Sequence, residues 1–231
     1  MQEILKGLLD LLFPPRCRIC NKACSEAICP ECIDSFPRVN GSICTKCGKP
    51  CHREVNTCRE CAGKNIYFLL ARSAGDYSGN LKEAIHQLKF RNGKKLAPYL
   101  ARFAAPYIVD FIDGIDCITF VPLTKYKEAK RGYNQSKLIA EEISKIFNKP
   151  ICDNLIKIKN IPEQNKLGLA ERPKNVKGAF GIKSPITGNM LLIDDVFTTG
   201  STVNECARIL KKNGAQNVFV LTIARTVPTG R

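Results

Sequence analysis

Apolar residues in this chain fall into short buried runs that alternate with helical stripes. Residues 66–77 read as a strand or hairpin arm, with Gly75 near its end. Leu81, Ile85, Leu88 and Phe90 then recur at near-helical spacing until Asn92-Gly93 ends the pattern. A longer helix follows to about residue 111, bent at Pro106. Residues 116–121 form a second apolar strand, and the loop Pro122-Leu123-Thr124-Lys125 leaves it. A helix opening at residues 130–135 runs on through Leu138, Ile139 and Ile143. Residues 155–159 and 177–182 alternate like the arms of a hairpin. Residues 190–193 are apolar without a break, as in a strand covered on both faces. A helical stripe over 203–212 and a β-branched strand over 217–224 complete the series. This order predicts an α/β body with a mainly parallel sheet and flanking helices. Residues 1–63 lack the alternation and form a separate head, so the body spans 64–231.

Cysteine dominates the head. Ten of the thirteen cysteines lie between Cys17 and Cys61, eight of them as Cys17/Cys20, Cys29/Cys32, Cys44/Cys47 and Cys58/Cys61. A Cys-x-x-Cys turn folds both sulfurs to one side, and two such turns complete a tetrahedral Zn²⁺ site. Four pairs predict two closed, structural zinc sites. Metal would supply folding energy that so short and sparsely apolar a segment lacks. Spacing leaves the pairing open. Sequential sites keep the loops short, whereas an interleaved arrangement would join 17/20 with 44/47. Cys24, Cys51 and the adjacent His52 stand outside the pairs. An odd cysteine total, with no A-x-A-like cleavage site after residues 4–13, points to metal ligation in a reducing cytoplasm rather than a disulfide framework. Residues 4–13 themselves read as a short amphipathic helix. No apolar run approaches the roughly 18–20 residues that span a bilayer.

Net charge is +15, unevenly placed. Nine Lys/Arg against seven Asp/Glu leave residues 1–63 at +2, so the body carries +13. Polyanionic ligands suit such a body, whether pyrophosphate compounds or nucleic acid; a solvated lysine-rich surface is the bland alternative.

The sharpest chemistry is Asp194-Asp195-Val196-Phe197-Thr198-Thr199-Gly200-Ser201-Thr202. A strand running into a small hydroxylated loop and then a helix N-terminus makes an anion cradle, with amides and hydroxyls aimed at the ligand. The two acids cannot serve the same anion. They suit sugar hydroxyls or a hydrated Mg²⁺; alternatively they merely cap the helix. The ligand reading requires the acids and the loop amides to face a ligand rather than packed protein. Across the crevice, Lys125 and Arg131 are candidates to hold pyrophosphate, Lys as a point charge and Arg through its planar fork. The polar stretch 160–175, with Gln164, Lys166 and Arg172, reads as a lid.

Asp194 to Thr202 resembles the signature by which type I phosphoribosyltransferases bind 5-phosphoribosyl 1-pyrophosphate (PRPP). The resemblance implies that Asp194 and Asp195 meet the ribose hydroxyls and that Val196 and Thr198 to Thr202 wrap the 5-phosphate. Nearly the whole chain is similar to the ComF family of competence proteins. The markers are Phe13-Pro14-Pro15-Arg16-Cys17, the cysteine pairs, Leu88-Lys89-Phe90, Val121-Pro122-Leu123 and Arg131-Gly132-Tyr133-Asn134-Gln135. Arg172, Asn175-Val176, Gly178-Ala179-Phe180 and the acid-pair signature complete the set. That likeness implies a zinc ribbon head on a type I phosphoribosyltransferase-like body that handles incoming single-stranded DNA alongside other DNA-uptake proteins. Thr198 departs from the carboxylate that some purine phosphoribosyltransferases carry there, and it cannot take a proton near neutral pH.

Three functions compete at this point. One is an enzyme using PRPP and Mg²⁺, with Asp194, Asp195, Lys125 and Arg131 at its centre. Another is a nucleic-acid-binding module on the same fold, with Tyr67, Phe68, Phe90 and Tyr99 as stacking candidates. The third is a nucleotide-salvage transferase.

Overall fold

The computed structural model describes residues 14–158 and 176–227. The helix expected over residues 4–13 and the lid candidates Gln164, Lys166 and Arg172 lie outside the described residues.

Four strands make the central sheet: β1 (Leu70–Asp76), β2 (Cys117–Phe120), β5 (Gly188–Phe197) and β6 (Ala215–Arg225). They run parallel in the order β1-β6-β5-β2. β3 (Leu155–Lys157) and β4 (Phe180–Ile182) form the antiparallel hairpin read from their alternation. The helices are α1 (Pro30–Asp34), α2 (Gly79–Phe90), α3 (Ala97–Ala104), α4 (Lys125–Arg131), α5 (Gln135–Phe147) and α6 (Ser201–Lys212). None of the described helices is long and apolar enough to cross a membrane.

Successive β5 residues feed opposite faces. Leu191 and Ile193 join Leu88, Leu100, Ile139 and Ile143 from α2, α3 and α5, while Met190 and Leu192 join Val203, Cys206 and Leu210 from α6. The cysteine-rich head grips the same sheet from both sides. Cys17, Ile28, Cys29, Cys32 and Phe36 belong to the first core, and Cys44, Cys47, Cys58 and Cys61 to the second. Between them the chain lies along the free edge of β1: Val39 N–H donates to Ala74 O at 3.0 Å, and Asp76 N–H to Pro37 O at 2.9 Å. An edge strand so covered is closed to further pairing. Gly75 permits the approach, since a Cβ there would lie 2.3 Å from Pro37 O.

Three expectations are corrected. The strand expected to end at the acids continues through both to Phe197, because β6 still pairs beside it, Asp194 opposite Thr222 and Phe197 opposite Arg225. Backbone pairing is indifferent to the charge of the side chain. Lys125, expected in the loop after β2, opens the helix α4, which ends at Arg131, so the helix expected to open at residues 130–135 begins only at Gln135. Thr124 Oγ1 caps the start of α4 by accepting from Lys127 N–H, and Gly132 closes it in the left-handed region. No residue of α4 is buried, so no apolar stripe announced it. Finally, the long helix toward residue 111 is α3 flanked by short 3₁₀ turns, with Pro106 inside the second turn.

Cys117 and Cys152, given no role by spacing, are joined by a disulfide that ties β2 to the chain after α5. Their separation of 35 residues carries no local signature.

Candidate ligand site and cysteine centres

The cysteine pairs assemble sequentially. Cys17, Cys20, Cys29 and Cys32 form one quartet and Cys44, Cys47, Cys58 and Cys61 the other, with the sulfurs of each within 4.8 Å of one another. Cys20 and Cys29 Sγ lie 3.6 Å apart, Cys47 and Cys58 3.7 Å, and Cys58 and Cys61 3.8 Å. Four sulfurs about 2.3 Å from one Zn²⁺ in a tetrahedron stand about 3.8 Å apart, so the quartets fit the ion. The interleaved alternative is excluded by this geometry. Both quartets use one local plan. Cys29 N–H donates to Cys17 Sγ and Cys58 N–H to Cys44 Sγ, each at 3.3 Å. Burial opposes the Cys17 thiolate, but amide donors from Cys20, Cys29 and Ile19 outweigh it and lower the pKa to about 6. His52 is exposed and outside both quartets.

The acid pair sits near the C-terminal end of β5, where α2 and α5 converge on it. Asn134 positions α5: its Nδ2 donates to Val121 O at 3.0 Å, and its Oδ1 caps the helix by accepting from Ser136 and Lys137 N–H. That places Ser136 Oγ 2.9 Å from Asp194 Oδ1, and Gln135 Nε2 3.1 Å from Asp195 Oδ1. Lys89 of α2 makes an ion pair with Asp195 Oδ2. Asp194 is 8% exposed and Asp195 4%. The acids are therefore enclosed by protein side chains, contrary to the expectation that they face a ligand, although the groups that enclose them are polar. Burial and the neighbouring Asp195 charge push Asp194 up to about 7. Burial would raise Asp195 too, but Lys89 and Gln135 hold it below the ordinary carboxylate range.

Arg131 bonds Gln135 Oε1 and lies 5.2 Å over the Phe90 ring, so it reaches the acids only through Gln135. Lys125 is exposed at the start of α4, and no contact joins it to the acid pair. Sequence reasoning singled out neither Lys89, Gln135 nor Ser136 as a site residue. Lys89 and Gln135 stood in its motifs, yet only the fold brings them to Asp194 and Asp195.

Beyond Phe197, the last residue of β5, the chain bends at Thr198 and Thr199 into Gly200, the N-cap of α6. Gly200 has φ +75°, and a Cβ there would sit 2.5 Å from the Phe197 ring, so the turn excludes a side chain. Gly200 has no side chain with which to cap α6, Thr199 Oγ1 accepts from Ser201 N–H at 3.4 Å, and no acid stands in the first turn. Thr199 Oγ1 and Ser201 Oγ lie 2.8 Å apart. Thr198, Thr199, Ser201 and Thr202 are partly exposed. An oriented helix end, clustered hydroxyls and no acid in the first turn give the local chemistry of a phosphate cradle.

Comparison with known proteins follows this geometry. Residues 8–62 match the double zinc ribbon domain. DNA utilization protein YhgH of Salmonella typhimurium is 31% identical over 230 residues, covering 94% of this chain and 100% of that protein. Competence protein F of Haemophilus influenzae is 30% identical over 217 residues, covering 89% and 91%. Among solved structures, the glutamine PRPP amidotransferase from B. subtilis matches 61% of this chain and 30% of its own, at 17% identity and a TM-score of 0.40. So loose a likeness adds nothing to what the sheet and loop themselves display.

Proposed function

The chain belongs to the ComF family, and from that premise we propose that it binds PRPP as a phosphoribosyltransferase-like protein serving DNA uptake in the cytoplasm. The observation that carries this reading is the continuity of acid pair, Gly200 turn and the start of α6 at the end of one central strand. In this reading the 5-phosphate lies on the amides and hydroxyls of residues 198–202, and the ribose hydroxyls bond Asp194 and Asp195. Lys89 holds Asp195 until the sugar arrives and then moves aside or shares the carboxylate.

With Asp195 committed to Lys89, the pair is a poor resident metal site. Mg²⁺ is therefore expected to enter with the donor's pyrophosphate and to supply charge neutralisation there. Lys125 and Arg131, on the α4 side of the crevice, would take the same group. In a transfer, the bond from ribose C1 to the pyrophosphate oxygen breaks, pyrophosphate leaves with the electron pair, and the acceptor bonds C1. Fixed cations favour that charge separation. Thr198 offers no base, so the acceptor must be a nucleophile that needs none, or one deprotonated by another group.

The test is calorimetric titration of Mg²⁺·PRPP into the wild type and into Asp194→Asn. Binding by the wild type that weakens at least tenfold in the variant supports the reading; equal heats from both refute it.

A second reading has its own observation. Phe90 is 60% and Tyr126 66% exposed, and Arg131 lies against the Phe90 ring. Lys125, Lys127 and Lys130 flank Tyr126 along the chain and Arg91 follows Phe90, a composition suited to stacking single-stranded bases beside neutralised phosphates. The relatives named for competence and DNA utilization favour it, and it is compatible with PRPP binding.

A further inference from the structure

The last turn of α2 is gripped from two sides. Residues two apart on a helix point about 200° from each other, and Gln87 and Lys89 use that geometry. Lys89 reaches Asp195, while Gln87 meets the cysteine-rich head. Its partner there is Arg18, which lies between the quartet members Cys17 and Cys20. Arg18 Nε donates to Gln87 Oε1 at 3.3 Å, and Gln87 Nε2 returns a bond to Arg18 O. A second arm of the same guanidinium, Nη2, donates to Arg91 O at 3.0 Å.

These contacts supply what α2 lacks at its end. The last carbonyls of a helix have no partner within it. The C-cap Arg91, at φ −125° and ψ 36°, is not in the left-handed conformation that closes α4 and α5. Arg91 O and Leu88 O instead accept from Arg18 and from the Tyr133 hydroxyl. Gln87 is 7% exposed, and its amide is taken up by Arg18 and by Glu83 Oε1, to which it donates at 3.0 Å. Arg18 is itself anchored: its N–H donates to Ala27 O at 2.9 Å, and the cysteines on either side belong to one quartet. On the other side of the helix, Lys89 supplies the cation of the acid pair, whereas Gln135 and Ser136 of α5 supply neutral donors.

We propose that Arg18 is a positioning residue of the ligand site: by fixing the end of α2 against the first cysteine knuckle, it keeps Lys89 seated on Asp195. It acts through α2 and needs no contact with a ligand. The seating of Lys89 stands apart from the PRPP reading, and only its effect on affinity rests on that reading.

The experiment titrates the aspartate carboxyl carbons by NMR in the zinc-loaded full chain, as wild type, Arg18→Ala and Tyr99→Phe. Tyr99 is the control. Its hydroxyl bonds Glu26 and accepts from Ala27 N–H at 3.3 Å, so its loss loosens the head from α3 without touching α2. Arg18→Lys, which keeps the charge without the fork, replaces the alanine variant should that fail to fold. Lys89 and Gln135 hold Asp195 down beside Asp194, and Asp194, Asp195 and Tyr77 act in turn on Lys89. In Arg18→Ala the lower midpoint of the acid pair moves up toward the ordinary carboxylate range, and in Tyr99→Phe it stays. Calorimetry with Mg²⁺·PRPP on the same proteins reads the consequence. Affinity changes about threefold or more in Arg18→Ala alone, the worth of ordering or releasing one long side chain. It rises if Lys89 leaves Asp195 on binding and falls if Lys89 shares the carboxylate. An unmoved midpoint in Arg18→Ala, an equal shift in both variants, or PRPP affinity equal to wild type overturns the inference. A midpoint that moves in Arg18→Ala alone, in proteins none of which binds PRPP, leaves Lys89 positioned as stated and refutes the donor reading instead.

Discussion

Lys89 decides how the acid pair behaves. With its ammonium against Asp195, the buried carboxylate is compensated; without it, a charge remains with no cation to meet it. Lys89→Met should cost about 3–5 kcal/mol of stability at neutral pH, read from denaturant unfolding. The pH dependence follows from Asp195. Its folded-state pKa is depressed, so the stability it contributes is present above the ordinary carboxylate value and is lost as pH falls through the depressed one. The gap between Lys89→Met and wild type should therefore narrow in acid; a gap independent of pH would remove the ion pair from the explanation. Asp194 behaves oppositely. Held at about 7 by burial and by Asp195, it carries a proton in mildly acidic solution. A sugar hydroxyl donating to its carboxylate lowers that pKa, so PRPP binding should release up to one proton near pH 6 and almost none near pH 9. Calorimetry in buffers of different ionisation enthalpy measures the release. Its disappearance in Asp194→Asn would separate it from protons on the phosphates, and identical release by both proteins would place it elsewhere.

The two cysteine quartets are packed into opposite faces of the sheet, and the segment between them covers β1. Loss of either metal thus opens part of the body's own core. Cys44→Ser should bind one Zn²⁺ per chain in place of two and lower the melting temperature of the whole protein; an unchanged body transition would mean the head only hangs beside the sheet. The quartets were legible in the sequence because their ligands lie within 18 residues of one another. The acid pair and hydroxyl loop were legible for the same reason. The environment of the acids was not, since Lys89 is 106 positions from Asp195 and Ser136 is 58 from Asp194. The helix α4 escaped because it buries nothing, and the extent of β5 because its last residues are held by β6 rather than by an apolar pattern. Cys117–Cys152 escaped because only the turn after α5 brings the two together.

At the scale of the molecule, a net charge of +15 and the exposed rings of Phe90 and Tyr126 are what the proposed contact with single-stranded nucleic acid would use. Binding of a single-stranded oligonucleotide should weaken steeply between 50 and 200 mM salt, because each neutralised phosphate releases counterions. Phe90→Ala with Tyr126→Ala should lower the affinity by about tenfold or more while leaving the salt slope nearly unchanged. A double variant that binds as wild type does would move the strand to another face. The central claim is that a pentose phosphate joins the acid pair to the α6 turn, and a crystal structure with Mg²⁺·PRPP tests it most directly. The account predicts the 5-phosphate on the amides of residues 199–202, with the ribose hydroxyls on Asp194 and Asp195. A sugar bound elsewhere, with Lys89 still seated on Asp195 and the turn bare, would contradict it.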